Sequence, residues 1–166
     1  LSKYAFIGAH GVGKSTAAYS LANSLKKQDP VKSIKVIEEV VRLTNKLVGI
    51  NNLPFQKLSI FDSLYKQELY ASTYDVIICD RTPLDYVLYG RYYKVGLSSK
   101  IESIAYENIL EFNKVYFVRP DNTPMADDGF RFTDIKERNE IDLYFKLILD
   151  QMNIIYEEIT TKDIFK

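Results

Sequence analysis

Residues Gly8 to Thr16 read GAHGVGKST, which matches G-x-x-x-x-G-K-[ST] with Gly8, Gly13, Lys14 and Ser15 at the fixed positions. Residues of these types at this spacing suit one chemistry. Glycines let the backbone turn tightly and aim successive N–H groups at one anion. The lysine brings a positive charge near the β- and γ-phosphates, and the serine hydroxyl can ligate Mg²⁺. The residues expected to cradle a nucleoside triphosphate are therefore Gly8, His10, Gly11, Val12, Gly13, Lys14, Ser15 and Thr16. His10 occupies a variable position of the motif, with no neighbour that would make it a base or a metal ligand, and is read as filling the loop. The apolar run Tyr4-Ala5-Phe6-Ile7 predicts a buried strand before the loop, and Ser15 to Lys27 predicts a helix after it. A glycine turn without function would need neither.

Three further groups could act on a bound triphosphate. Val76-Ile77-Ile78-Cys79-Asp80 is an apolar run ending in an acid, the form of a Walker B strand. A carboxylate at the C-terminal end of a parallel strand faces the crevice where ligands bind, so Asp80 is expected to hold Mg²⁺ together with Ser15, or to orient the attacking group. An aspartate that merely opens a turn is the alternative. Arg81 follows at the same edge, where its planar fork matches phosphate oxygens, and Asp85 lies within the next turn. The second candidate strand ends in Glu38-Glu39, with Arg42 three residues further on. Glu39 could take a proton from an attacking hydroxyl or bind a substrate hydroxyl, and Arg42 could bind an acceptor phosphate; acid enrichment in a helix's first turn explains Glu39 equally well. Finally, Arg131 follows Asp127-Asp128-Gly129-Phe130 in a loop rich in polar residues and proline. A cation there could neutralise charge on a moving phosphoryl group once the loop closes, with Arg119 and Arg138 as weaker candidates.

These residues need a scaffold that brings strand ends together, and the rest of the chain supplies one. Short apolar runs alternate with longer amphipathic stretches, the pattern of a parallel sheet covered by helices. Strands are predicted at Tyr4–Ile7, Ile34–Ile37, Val76–Cys79, Val115–Val118 and Ile154–Tyr156. Helices are predicted over about Glu38–Val48 and Phe55–Ser72. Another runs through Ile101, Ala105 and Ile109, capped by Ser98 or Ser99, and a last one through Ile141, Phe145, Ile148 and Met152, capped by Thr133. The segment 119–138 interrupts the alternation, and its place after the fourth strand suits a lid over phosphates. At 166 residues without repeats or linkers, the chain reads as one domain over residues 1–166.

Composition narrows the partners. The formal net charge is zero, so no global field attracts nucleic acid or an anionic membrane. The single cysteine, Cys79, cannot form an internal disulfide, which suits a reducing cytoplasm, and its place in an apolar run suits packing. No apolar run approaches membrane-spanning length.

Taken together, GAHGVGKST, Glu39-Val40-Val41-Arg42, Asp80-Arg81-Thr82-Pro83-Leu84-Asp85 and Asp128-Gly129-Phe130-Arg131 resemble the small P-loop kinases of nucleosides and nucleotides. The chain is most similar to the compact AAA-like subgroup related to nicotinamide riboside kinase domains. That resemblance implies a three-layer α/β fold with a five-stranded parallel sheet in the order 2-3-1-4-5, helices on both faces and a short lid. It also implies ATP and Mg²⁺ as the donor pair, with the acceptor between the ends of the second and third strands. Lys14, Asp80, Arg81, Glu39 and Arg131 are the expected catalytic set, and Glu39, Arg42, Arg81 and Asp85 the expected acceptor ligands.

The leading expectation is phosphoryl transfer from ATP to a small nucleotide, a (deoxy)nucleoside monophosphate, because two arginines flank the acceptor side. A nucleoside acceptor stays open. So does a polynucleotide end or a modified base in DNA, for which Arg91, Tyr92, Tyr93, Lys94 and Lys100 would offer a local basic and stacking patch. The balanced overall charge disfavours nucleic acid. A nucleotide-gated regulatory ATPase is the alternative of another class. The oligomeric state is left open, a homodimer included.

Overall fold

Four short runs rich in β-branched and aromatic residues and a fifth, polar one pair side by side, all in parallel. They are β1 (Ser2–Ile7), β2 (Ile34–Ile37), β3 (Val76–Asp80), β4 (Lys114–Val118) and β5 (Glu157–Ile159). Their spatial order is β2-β3-β1-β4-β5, as the resemblance implies. The computed structural model describes residues 1–39, 52–121 and 135–163. Between the strands lie α1 (Lys14–Gln28), α2 (Leu53–Ala71), α3 (Pro83–Tyr92), α4 (Ser99–Leu110) and α5 (Ile135–Gln151). Only the β1–β2 connection travels towards the β2 edge. Right-handed crossovers therefore set α1 on one face and the other helices on the opposite face. In keeping with this, α3 packs on α2, α4 and α5.

The central strands are apolar because helices cover both of their faces. Every residue of β3 is buried, and Phe6, Ile77, Ile78, Phe117 and Val118 are fully enclosed. From α5, the expected stripe of Ile141, Phe145 and Ile148 packs into this core, joined by Leu149. Capping is local and conventional: Asn52 Oδ1 accepts the Phe55 N–H at 2.9 Å, and Ser98, rather than Ser99, accepts the Ile101 N–H at 3.3 Å.

Two elements differ from the sequence expectation. The last strand is Glu157–Ile159 and not Ile154–Tyr156, because Ile154 drops into the core while Ile155 points to solvent. What pairs with β4 is a polar edge strand whose acids meet Lys114, Arg119 and Lys146. Helix α3 was not anticipated at all. Pro83 through Gly90 are buried without exception, so the helix has no polar face and no amphipathic period to detect. The helix predicted over Glu38–Val48 lies, from residue 40 on, outside the described residues, and Glu38 and Glu39 are not helical. Thr133 and the lid segment from 122 to 134 also fall outside them. Among the described residues, no helix is long and apolar enough to cross a membrane.

Candidate functional site: a phosphate loop facing a buried arginine

The loop leaves β1 directly into α1, and two glycines are sterically required. At Gly8 (φ +147°) a Cβ would stand 2.6 Å from the Val118 carbonyl oxygen on β4. Gly13 (φ +92°) is the left-handed N-cap of α1, and a Cβ there would come within 1.9 Å of Thr161 Cγ2. The chain after β5 thus lies against the start of α1. Lys14 is buried, and its ammonium donates to the Ala9 carbonyl inside the loop.

At the end of β3 the Walker-type pairing is present: the Ser15 hydroxyl donates to Asp80 Oδ2. Asp80 is 3% exposed, and its second oxygen, Oδ1, meets no hydrogen-bond partner among the described residues. A buried carboxylate oxygen left in this state is costly unless a cation or ligand completes it. Ser15 and Asp80 offer hard oxygen donors beside a phosphate loop, a set that fits Mg²⁺, which keeps several waters and takes few protein ligands. Burial pushes the Asp80 carboxyl above its ordinary range, against the opposing pull of Lys14, the Ser15 hydrogen bond and Arg81.

Arg81 adopts a left-handed backbone (φ 77°), an uncommon state for a residue with a Cβ, and its N–H donates to the Phe6 carbonyl at 3.0 Å. Strain of this kind, about 1–3 kcal/mol, is kept where the surroundings over-determine it. Here the side chain is buried, its Nε donates to Glu39 Oε2, and its guanidinium lies 4.9 Å from the Tyr89 ring centroid. Burial disfavours the cation, yet Tyr89, Tyr86 and Asp85 hold its pKa above the usual value, so Arg81 stays charged. The ends of β2 and β3 therefore join Glu39 and Arg81, two residues singled out from sequence.

Asp85 occupies a different place from that of a substrate ligand. Its Oδ1 accepts the Gly8 N–H at 3.1 Å, and its Oδ2 accepts the Thr82 N–H at 2.8 Å and the Thr82 hydroxyl at 3.0 Å. It caps α3 and ties that helix to the start of the loop. His10 is buried, with its N–H donating to the Tyr89 hydroxyl at 2.7 Å. Arg119 is held by Asp142 and Glu158. It lines a cavity of about 480 Å³ with Pro120, Asp142, Leu143, Ile159 and Thr160, beside the residues that abut Gly13. Arg138 is buried at the start of α5. Arg42 and Arg131 lie outside the described residues.

Sequence reasoning missed two features. Nothing in the sequence sets Tyr89 apart among the 13 tyrosines. On α2, the residues Gln56, Ser59, Ser63 and Gln67 form a buried polar stripe where an apolar one is expected. The far pair is satisfied, since Gln67 and Asn108 exchange hydrogen bonds at 2.9 and 3.3 Å. Gln56 Oε1 and Ser59 Oγ have no hydrogen-bond partner among the described residues. They lie near the N-terminus of α2, which runs antiparallel to the strands and so begins at the edge of the sheet where Asp80 and Arg81 stand. Phe55 touches Tyr86 edge-on at 6.3 Å, joining the starts of α2 and α3 there. The polar spacing on α2 was the available signal.

This sheet order and loop define a P-loop α/β fold. Two solved structures share the fold. Thymidylate kinase from Ehrlichia chaffeensis superposes with a TM-score of 0.68 at 17% identity, over 96% of this chain and 86% of that one. Deoxyadenosine kinase from M. mycoides with bound dATP gives 0.63 at 15% identity, over 96% and 91%. A family model described as an AAA domain matches residues 3–166, and the chain belongs to that family. No curated protein sequence matches it.

Proposed function

We propose that this chain, acting as one domain over residues 1–166, transfers the γ-phosphoryl group of ATP to a small nucleotide acceptor, a (deoxy)nucleoside monophosphate. The observation that carries this reading is the Ser15–Asp80 contact, with Asp80 Oδ1 buried and unpartnered beside the phosphate loop and Arg81 next in the chain. Lys14 and the loop N–H groups bind the triphosphate, and the cavity bordered by Arg119 and Thr160 suits its nucleoside. Ser15 and Asp80 would hold Mg²⁺, which when bound neutralises charge on the β- and γ-phosphoryl oxygens. An oxygen of the acceptor's phosphate dianion attacks the γ-phosphorus and ADP leaves; where the acceptor is a hydroxyl, its proton passes to Glu39. Arg81, Arg42 and Arg131 neutralise acceptor and transferring phosphates. Gln56 and Ser59 supply hydrogen-bonding atoms for the polar edge of a base, a role that favours a nucleotide over a simple sugar or alcohol. The buried thiol of Cys79, pushed up to about 12 by burial, supports a packing role and a cytoplasmic setting.

A second reading, a nucleoside acceptor, is favoured by one contact: Arg81 is already paired with Glu39, which leaves a base and a cation beside a neutral hydroxyl. Labelled ATP offered with nucleosides, monophosphates and short oligonucleotides decides between them. Labelling of a monophosphate supports the first reading and labelling of a nucleoside the second. ATP hydrolysis at one rate with every acceptor overturns both in favour of a regulatory ATPase.

A further inference from the structure

Helix α3 grips the phosphate loop at two points. Asp85 and Tyr89 are four residues apart and share a helix face. Each takes a backbone N–H of the loop, Gly8 to Asp85 Oδ1 at 3.1 Å and His10 to the Tyr89 hydroxyl at 2.7 Å. Phosphate binding does not call for this arrangement, because loop N–H groups are ordinarily aimed at the anion. Here two of them are turned into a neighbouring helix. The same tyrosine carries the acceptor-side cation. Arg81 lies 4.9 Å from the centre of its ring. The His10 Nδ1 is 3.1 Å from the phenol oxygen. A neutral phenol has one proton to give and an oxygen that can accept. It accepts from the His10 N–H and can donate to His10 Nδ1. The ring is fixed as well, stacked on Tyr93 at 6.2 Å and meeting Phe145 edge-on at 5.3 Å.

We propose that Tyr89 is a positioning residue that couples the two halves of the site, its hydroxyl fixing the loop at His10 while its ring holds Arg81. Arg81 then cannot shift without loosening the loop, and an emptied or distorted loop disturbs the arginine. The acceptor half of this statement rests on the kinase reading; the nucleotide half does not.

Tyr89→Phe tests it, because the ring stays under Arg81 and only the hydroxyl is lost. The probe is Mg·ADP without acceptor, which carries no γ-phosphoryl group for Arg81 to touch. Tyr89→Phe is expected to weaken ADP binding by about threefold to tenfold, the worth of one buried hydrogen bond. Arg81→Lys, which leaves Tyr89 in place, should also weaken ADP binding, and the two changes together should cost less than their product. This second variant keeps the test open should Tyr89→Phe fail to fold. Unchanged ADP affinity in Arg81→Lys, or strictly multiplicative effects in the double variant, overturns the coupling. So does a lowered melting temperature with wild-type ADP affinity, which marks Tyr89 as packing only. In turnover with a competent acceptor, Tyr89→Phe should raise the acceptor KM as well as lower kcat. If no acceptor is phosphorylated, the kinase reading falls while the ADP measurements still decide the coupling.

Discussion

Arg81 and Arg119 each follow the last residue of a sheet strand, β3 and β4, and each lies flat against an aromatic ring. The guanidinium of Arg81 is 4.9 Å from the centre of Tyr89, and that of Arg119 is 5.0 Å from the centre of Phe117. Both are paired with acids. What surrounds them differs. Arg119 is chelated by Asp142 through Nε and Nη2 at 2.8–3.0 Å and also meets Glu158, which in turn holds Lys146 at 2.8 Å. That network lies partly in solvent and completes itself. Arg81 is buried, bent into a left-handed backbone, and sits beside Asp80, whose Oδ1 finds no hydrogen-bond partner among the described residues. The sheet offers equivalent positions at both strand ends. One set of charges closes on itself, and the other is left open among the described residues.

The largest effect should come from the incomplete cluster. Asp80→Asn is expected to lower phosphoryl transfer at least about a hundredfold, as for a lost charge-stabilising group, while the melting temperature holds or rises. Near-normal turnover would remove Asp80 from the catalytic set and erase the contrast. A matched pair comes next. Arg81→Lys should cut kcat/KM about tenfold or more, because an ammonium cannot reproduce the planar fork. Arg119→Lys should change it less than about fivefold, the scale of an exposed ion pair. Equal losses would mean that both arginines touch ligand.

The two clusters should also respond to pH with opposite sign. Burial raises the Asp80 carboxyl above its ordinary value of 3.8, so the folded protein holds that proton more tightly than the unfolded chain does. Its cost is absent below the unfolded value and grows as pH rises towards the folded one. The stability gain of Asp80→Asn over wild type should therefore increase with pH above about 3.8 and shrink in the presence of Mg²⁺ and nucleotide. Glu158 runs the other way, held below its ordinary value of 4.5 by Lys146, with Arg119 adding to the effect. Its contribution is complete above that value and is lost as pH falls through the lower, folded value. The smallest effect follows: Glu158→Gln should lower the melting temperature at neutral pH by no more than about 2 °C, and high salt should erase the difference. A larger or salt-insensitive loss would show that the exposed network is not self-contained.

The donor side was legible because its chemistry is written in consecutive residues. GAHGVGKST carries its own turn geometry, cation and hydroxyl, and the apolar run before Asp80 marks a central strand. The acceptor side depends on contacts between elements far apart in sequence. Asp85 was read as a ligand because it follows Arg81, yet its oxygens are taken by Gly8 and Thr82. Thr82-Pro83-x-Asp85 does spell a helix start, with proline in the first turn and an acid reaching back to the cap. Without an amphipathic stripe behind it, that start announced no helix. β5 was displaced for the converse reason: an edge strand stabilised by ion pairs carries little apolar signal, and the nearby Ile154-Ile155 carries more. Gln56 and Ser59 are informative only once α2 is known to be buried on that side.

The enclosure of α3 from Pro83 to Gly90 has a consequence for how the protein opens and how it can diverge. A helix buried from Pro83 to Gly90 has no solvent-facing amides through which to fray. Its hydrogens should exchange with deuterium only when the whole domain unfolds, among the slowest in the chain. The segment that carries Asp85 and Tyr89 would then be the least able to drift in a descendant protein. New acceptor preferences would have to be written on α2 and the loops around it, on a frame that α3 holds fixed.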